Sequence, residues 1–186
     1  MKKILVLFFI FYTADLYAVE SNKKLTFNED SAKNWQYISD RTMGGVSEGQ
    51  AFLDQDEGII FARLTGSVST DNNGGFIQLR TTLSFNNLDK EQGKLKGVRL
   101  NVRGNDETYY IHIRTNDSWS PSDYYFATFK ADSDWQMINL PFDNFQRRRG
   151  SNEKTLDAKN ITSFAIVAYG RDFISDVSAS SIEFYY

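Results

Sequence analysis

Between residues 97 and 103 the side chains alternate without a break: Val98, Leu100 and Val102 are apolar, and Arg99, Asn101 and Arg103 are polar. A period of two places one set on each face of an extended strand, whereas a helix would scatter the same apolar residues around its circumference. The pattern recurs at 109–114, where Tyr109, Ile111 and Ile113 interleave with Tyr110, His112 and Arg114. Further strands are predicted at 25–27, 50–53, 59–64, 76–85, 124–130, 135–140, 161–168 and 180–186, and helix-period segments are nearly absent. Short strands separated by turn chemistry predict an all-β chain folded as a two-sheet antiparallel β-sandwich.

Two of the turns share a composition. Asp40-Arg41-Thr42-Met43-Gly44-Gly45-Val46-Ser47 is answered by Ser69-Thr70-Asp71-Asn72-Asn73-Gly74-Gly75-Phe76. Gly44, Gly45, Gly74 and Gly75 can take positive φ and so allow sharp reversals. If sequential strands reverse direction, the loops at 39–49, 65–75, 104–108, 131–134 and 169–179 gather at one end of the sandwich. The loops at 54–58, 86–96, 115–123 and 141–160 gather at the other. The first end then brings Asp40, Arg41, Asp71, Asn72, Asn73, Arg103, Asp106, Arg171 and Asp172 together, a rim able to hydrogen-bond sugar hydroxyls or a partner's backbone. Two plainer readings stand beside it. The charged turns are merely solvated, or Asp40 and Arg103 tie the two turns closed. Asn72→Ala and Asn73→Ala should be nearly neutral for stability but lower affinity if the rim binds. Asp40→Ala should instead cost on the order of 1 to 3 kcal/mol if it is a buried structural acceptor. At the far end, Trp119 is expected to fold back over the sandwich edge, with stacking on a sugar ring or a partner as the functional alternative. Arg147, Arg148 and Arg149 are expected to be solvated or paired with carboxylates.

The paired turns and their spacing resemble the signature of the complex I intermediate-associated protein 30 family. The residues that carry the resemblance are Asp40, Met43 to Ser47, Gly66 to Ser69 and Asn73 to Phe76. Val102-Arg103-Gly104, Tyr109, Trp135, Leu140-Pro141-Phe142 and Arg149-Gly150 extend it, so that it runs from about Trp35 to the C-terminus. The resemblance implies a galactose-binding-domain-like jelly roll. It also implies a protein-binding assembly factor for respiratory complex I, one that holds partly built subunits without catalysing a reaction.

The residue inventory argues against an enzyme. Cys is absent, which removes thiol nucleophiles and thiolate metal sites. His112 is the only histidine; it is expected on a strand face in a sheet-surface role, and His112→Ala is expected to leave binding intact. Asp40 and Asp71 are the pair of acids a glycosidase would need. No cofactor or metal is called for. Asn28, Glu29, Asp30 and Glu183 would offer oxygens to a structural calcium if the first and last strands pair, but no spacing resembles a calcium-binding loop.

Lys2 and Lys3 precede an apolar run at 4–12, and Leu16-Tyr17-Ala18 offers a small residue at a cleavage point, the layout of a secretory signal peptide. That run is shorter than the ~20 residues a membrane span needs. The expectation is a leader at 1–18 and one domain at 19–186, secreted or periplasmic, with no stable membrane span after cleavage. Removing Lys2, Lys3 and Asp15 leaves 19 basic against 23 acidic residues, a poor match for nucleic acid. Two functions of different class remain: a protein-binding assembly factor, and a carbohydrate-binding module of the cell envelope.

Overall fold

A computed structural model describes residues 23–85, 94–149 and 156–186. The leader expected at 1–18 lies outside the described residues. The chain runs β1 (Lys23–Thr26), the one-turn helix α1 (Glu29–Ala32), β2 (Trp35–Ser39), β3 (Glu48–Asp56), β4 (Ile59–Val68), β5 (Phe76–Thr82) and β6 (Gly97–Gly104). It continues through β7 (Glu107–Thr115), β8 (Tyr125–Ala131), β9 (Gln136–Pro141), β10 (Gln146–Arg147), β11 (Ile161–Tyr169) and β12 (Phe173–Tyr185). The strands form two six-stranded antiparallel sheets. The first has the order β3-β4-β12-β6-β9, with β1 also paired to β12, and the second the order β10-β8-β7-β11-β5-β2.

The alternation read from the sequence is the alternation of burial. Val98, Leu100, Val102, Tyr109, Ile111 and Ile113 are fully enclosed in one core between the sheets. Aromatic rings cross-link that core: Phe27 packs on Trp35 at 5.2 Å, Trp35 meets the edge of Phe164 at 6.4 Å, and Phe184 meets both Phe164 and Phe85. Buried aromatic pairs of this kind add ~0.5–1.5 kcal/mol each beyond the area they remove from water.

Three strands depart from the sequence expectation: β10, which falls in the span read as one loop at 141–160, and β2 and β12. β2 is absent from the predicted set because its alternation is broken: Trp35 and Tyr37 pack on the core while Ile38 faces out, so three of five residues are large and apolar. β12 is predicted only over its second half. Its pairing with β6 slips between Ala179 and Ser181, so the inward residues change from Val177 and Ala179 to Ile182 and Phe184. A bulge of this kind inverts the parity of the pattern within one strand.

The predicted gathering holds for the loops at 39–49, 65–75 and 169–179, the first two being joined where Asp40 accepts the Gly75 amide. Thr70 donates its amide and its hydroxyl to Asp172 Oδ1 at 2.7 Å each, and the Gly170 amide donates to the Gly75 carbonyl at 2.8 Å. Both Gly-Gly turns and the turn between β11 and β12 therefore share one end. No helix among the described residues is long and apolar enough to cross a membrane.

Candidate functional site

Asp40 sits at the join of the two Gly-Gly turns, and it is 0% exposed. Its Oδ1 accepts the Ser47 amide at 3.0 Å. Its Oδ2 accepts the Ser47 hydroxyl at 2.5 Å, the Gly75 amide at 2.6 Å and the Phe76 amide at 3.1 Å. Burial alone would raise this carboxyl, but the Ser47 hydroxyl and the amides of Gly75, Phe76 and Ser47 outweigh it and hold the group below the usual carboxylate range. The glycines divide the work. Gly44 and Gly75 have φ of +90° and +119°, while Gly45 and Gly74 make room, since a Cβ on either would come within about 2.5 Å of the Asp40 carboxylate. Asp40 is thus a structural acceptor, unavailable to a ligand and unable to serve as one of a pair of glycosidase acids.

Most of the predicted rim is engaged elsewhere. Arg41 pairs with Glu48. Arg103 turns away from the turns altogether: it pairs with Asp56 at 2.8 Å and lies over the rings of Phe61 and Trp135 on the outer face of the first sheet. Asp106 pairs with Lys130, and Arg171 pairs with Glu107 and covers Phe173 at 3.9 Å. Asp71 and Asn72 are exposed on the turn, and Asn73, with the turn glycine Gly74, lines a cavity. Asn72 and Asn73 have φ of +55° and +58°. The expectation that alanine there is neutral is therefore wrong, because an alanine is strained in that region and asparagine tolerates it better.

That cavity is a cleft of about 790 Å³ across the outer face of the second sheet. Its floor comes from outward positions of four strands, with Gln78 and Arg80 on β5, His112 and Arg114 on β7, Val167 and Tyr169 on β11, and Ile38 on β2. Thr42, Met43, Asn73 and Gly74 from the Gly-Gly turns form one wall, and Pro121, Ser122, Tyr124 and Arg148 form the other. In register, His112 and Arg80 lie either side of Ala165, whose side chain is only a methyl. His112 stacks on Tyr124 with centroids 4.0 Å apart and meets Tyr169 edge-on at 5.6 Å. Arg148 donates to the hydroxyls of both tyrosines and lies over both rings.

The far wall is pinned by a buried ion pair. Arg147 donates Nε and Nη2 to the two oxygens of Asp123, each at 2.8 Å, and reaches Asp117 at 3.1 Å. Arg147 thus holds the 116–124 loop, and its neighbour Arg148 is left facing the cleft. Hydrogen bonds from Arg147 keep the Asp123 carboxyl below the usual range against the opposing effect of burial. Trp119 does not fold back as expected; it stands 69% exposed on the same loop, two residues from Pro121.

The cleft's titratable groups are three arginines and neutral rings. Burial, with the charges of Arg148 and Arg114, lowers His112 to about 3, so its ring is neutral at ordinary pH. Its Nε2 is closed to solvent and lacks a hydrogen-bond partner among the described residues. Burial pushes the Tyr124 hydroxyl up to about 12, and burial together with the charge of Arg80 lowers Arg114. None of the lining residues carries a carboxylate. For the calcium idea, β1 and β12 do pair, but Asn28 Oδ1 accepts the Ser31 amide as a helix cap. Among the described residues no group of three or more acids or histidines is placed to hold a metal ion.

Sequence reasoning looked for the site in loops and missed the sheet face. The signal was in the outward half of each alternation: Gln78 and Arg80, Tyr110, His112 and Arg114, Tyr169. A solvated sheet face carries scattered polar residues, whereas this one concentrates rings and arginines. His112, expected on a strand face, does lie on the outer face of β7, within the lining of the cleft.

Two antiparallel sheets around one core, with a cleft across one outer face, define a galactose-binding-like jelly roll. Solved structures of that class are similar throughout. A family 11 carbohydrate-binding module from Clostridium thermocellum, in complex with a β-1,3-1,4-mixed-linked tetrasaccharide, aligns with TM-score 0.65 and 17% identity over 87% of this chain and 95% of that one. The family 30 carbohydrate-binding module of a cellulosomal cellulase from the same organism aligns with TM-score 0.56 and 14% identity over 81% and 90%. At these identities the likeness establishes the fold. Comparison with curated protein sequences gives no match. The chain belongs to the Complex I intermediate-associated protein 30 family, whose model it matches over residues 25–177.

Proposed function

We propose that this chain is a non-catalytic glycan-binding module that uses the cleft on its second sheet, and that it is exported, with cleavage after Ala18. The observation that carries the reading is the cleft's lining. Sugar rings present apolar C–H faces and in-plane hydroxyls. The cleft answers with ring faces at Phe76 and Tyr169 and with planar or forked hydrogen-bonding groups at Asn73, Gln78, Arg80 and Arg114. A volume of about 790 Å³ accommodates a short oligosaccharide. Supporting the absence of catalysis, the lining offers no pair of carboxylates, and a histidine lowered to about 3 is a very weak base. The fold shared with carbohydrate-binding modules is consistent with this reading.

A glycan array beside a pull-down from envelope extract tests it. Capture of a glycan that Tyr169→Ala abolishes, with circular dichroism unchanged, supports the proposal; a wild-type chain that binds no glycan refutes it. Family membership favours a second reading, in which the domain holds a protein partner during assembly of a larger complex. Recovery of one stoichiometric protein partner, with no glycan bound, would establish that reading instead.

A further inference from the structure

Six described arginines outside the cleft find carboxylates. Arg41, Arg63, Arg99, Arg103, Arg147 and Arg171 each have one within 4.0 Å. The three in the cleft do not. Arg148 bonds only to the hydroxyls of Tyr124 and Tyr169, Arg114 donates to the Pro121 carbonyl, and neither they nor Arg80 form an ion pair among the described residues. Two acids of the adjoining 116–124 loop, Asp117 and Asp123, are paired with Arg147. The cleft of an otherwise acidic chain therefore holds three guanidinium groups with no carboxylate partner among the described residues.

Guanidinium groups gathered in one cleft repel one another, and an anion from outside the chain would relieve that repulsion. The lowering of Arg114 by burial and by Arg80 carries that repulsion as its second cause.

Resting on the glycan reading above, we propose that the cleft recognises an acidic glycan, one whose carboxylate or sulfate oxygens are held by the forks of Arg80, Arg114 and Arg148. Planar guanidinium groups match such oxyanions with two parallel N–H donors, which gives direction as well as attraction. Tyr124 and Tyr169 orient Arg148 from one wall, and the sugar ring that bears the anion packs against the exposed part of Tyr169. The overall acidity of the chain then disfavours loose polyanion binding and confines it to the cleft.

The test uses matched polymers in affinity electrophoresis and calorimetry: polygalacturonate against its methyl ester, dextran sulfate against dextran, and mixed-linked β-glucan as a neutral chain. The proposal expects at least about tenfold tighter binding of the charged member of a pair, weakening as salt rises. The pair that shows the preference identifies carboxylate or sulfate as the group. Arg80→Gln, which breaks no ion pair, should weaken binding of the charged polymer about tenfold, while Arg103→Gln on the opposite sheet should leave it unchanged. Neutral β-glucan bound as tightly as any acidic polymer would overturn the acidic preference and leave the glycan reading standing. Failure to bind any of the five polymers would overturn both.

Discussion

Replacing Asp40 removes the acceptor on which four donors converge, and the structure gives the scale of the loss. Hydrogen bonds to a charged acceptor contribute ~1.5–3 kcal/mol each, and donors left buried without a partner carry a further penalty. The four share two oxygens and do not add, so Asp40→Ala is expected to destabilise the fold by about 3–5 kcal/mol. Asp40→Asn should fall between, at about 1–3 kcal/mol: its single oxygen can face Ser47 Oγ, Gly75 N and Phe76 N, but its NH2 then opposes the Ser47 amide. Urea denaturation at neutral pH with unchanged slope measures both. A coupled test uses Gly74→Ala, whose Cβ would lie 2.5 Å from Asp40 Oδ2 but 3.0 Å from the Asp71 carbonyl. Its effect should shrink by ~1 kcal/mol or more when Asp40 is already alanine. Because the folded carboxyl is held below its unfolded value, its contribution is present above the unfolded pKa of ~3.9 and lost as pH falls through the folded one. Asp40→Ala should therefore flatten the acid limb of the stability curve. A loss under ~1 kcal/mol for Asp40→Ala, with additive behaviour at Gly74, would refute the claim that this carboxylate organises the turns.

Other perturbations have equally definite outcomes. The folded state of His112 binds its proton only near 3, so protonation favours the unfolded chain between about 6.5 and 3. Stability from this source is full above about 6.5 and declines below it, and a His112→Phe variant should lose that slope in pH-dependent thermal melts. Arg147→Met strands the buried Asp123 carboxylate and should lower stability by about 3–5 kcal/mol in denaturant, with a double Arg147→Met, Asp123→Leu variant recovering part of it. Trp119→Ala should change stability by less than ~0.5 kcal/mol, since the ring is exposed. On the turn, Asn73→Gly keeps the positive φ and should be milder than Asn73→Ala by ~1 kcal/mol in the same denaturation assay, which makes it the cleaner probe of the side chain in binding.

The fold was largely legible because burial in a sandwich follows the period of the strand. Val98, Leu100 and Val102 could only be inward if Arg99, Asn101 and Arg103 were outward. The pattern failed where that period was locally broken, at Ile38 in β2 and at the bulge near Ser180 in β12. Loop parity also worked, and it put the two Gly-Gly turns together. It could not say that one buried carboxylate holds them, because Asp40 reads in sequence like any turn aspartate; only its 0% exposure and its four donors distinguish it. Nor could parity find the cleft. The groups that line it come from β2, β5, β7 and β11 at sequence separations set by strand order, and β5 pairs with β11 across nearly half the chain. Arg147 and Arg148 illustrate the limit. Adjacent in sequence and alike in chemistry, they point to opposite sides of β10, one into a buried ion pair and the other into the cleft.

The central claim is a location, and an NMR titration tests location directly. Backbone amide and side-chain shifts of the 19–186 chain would be followed while adding a trisaccharide of galacturonate and, separately, a neutral mixed-linked tetrasaccharide. The account predicts shifts concentrated at Gln78, Arg80, His112, Arg114, Arg148 and Tyr169, larger for the acidic sugar and reduced by salt. Shifts confined to the outer face of the first sheet, around Arg103 and Met137, or no shifts with either sugar, would contradict it.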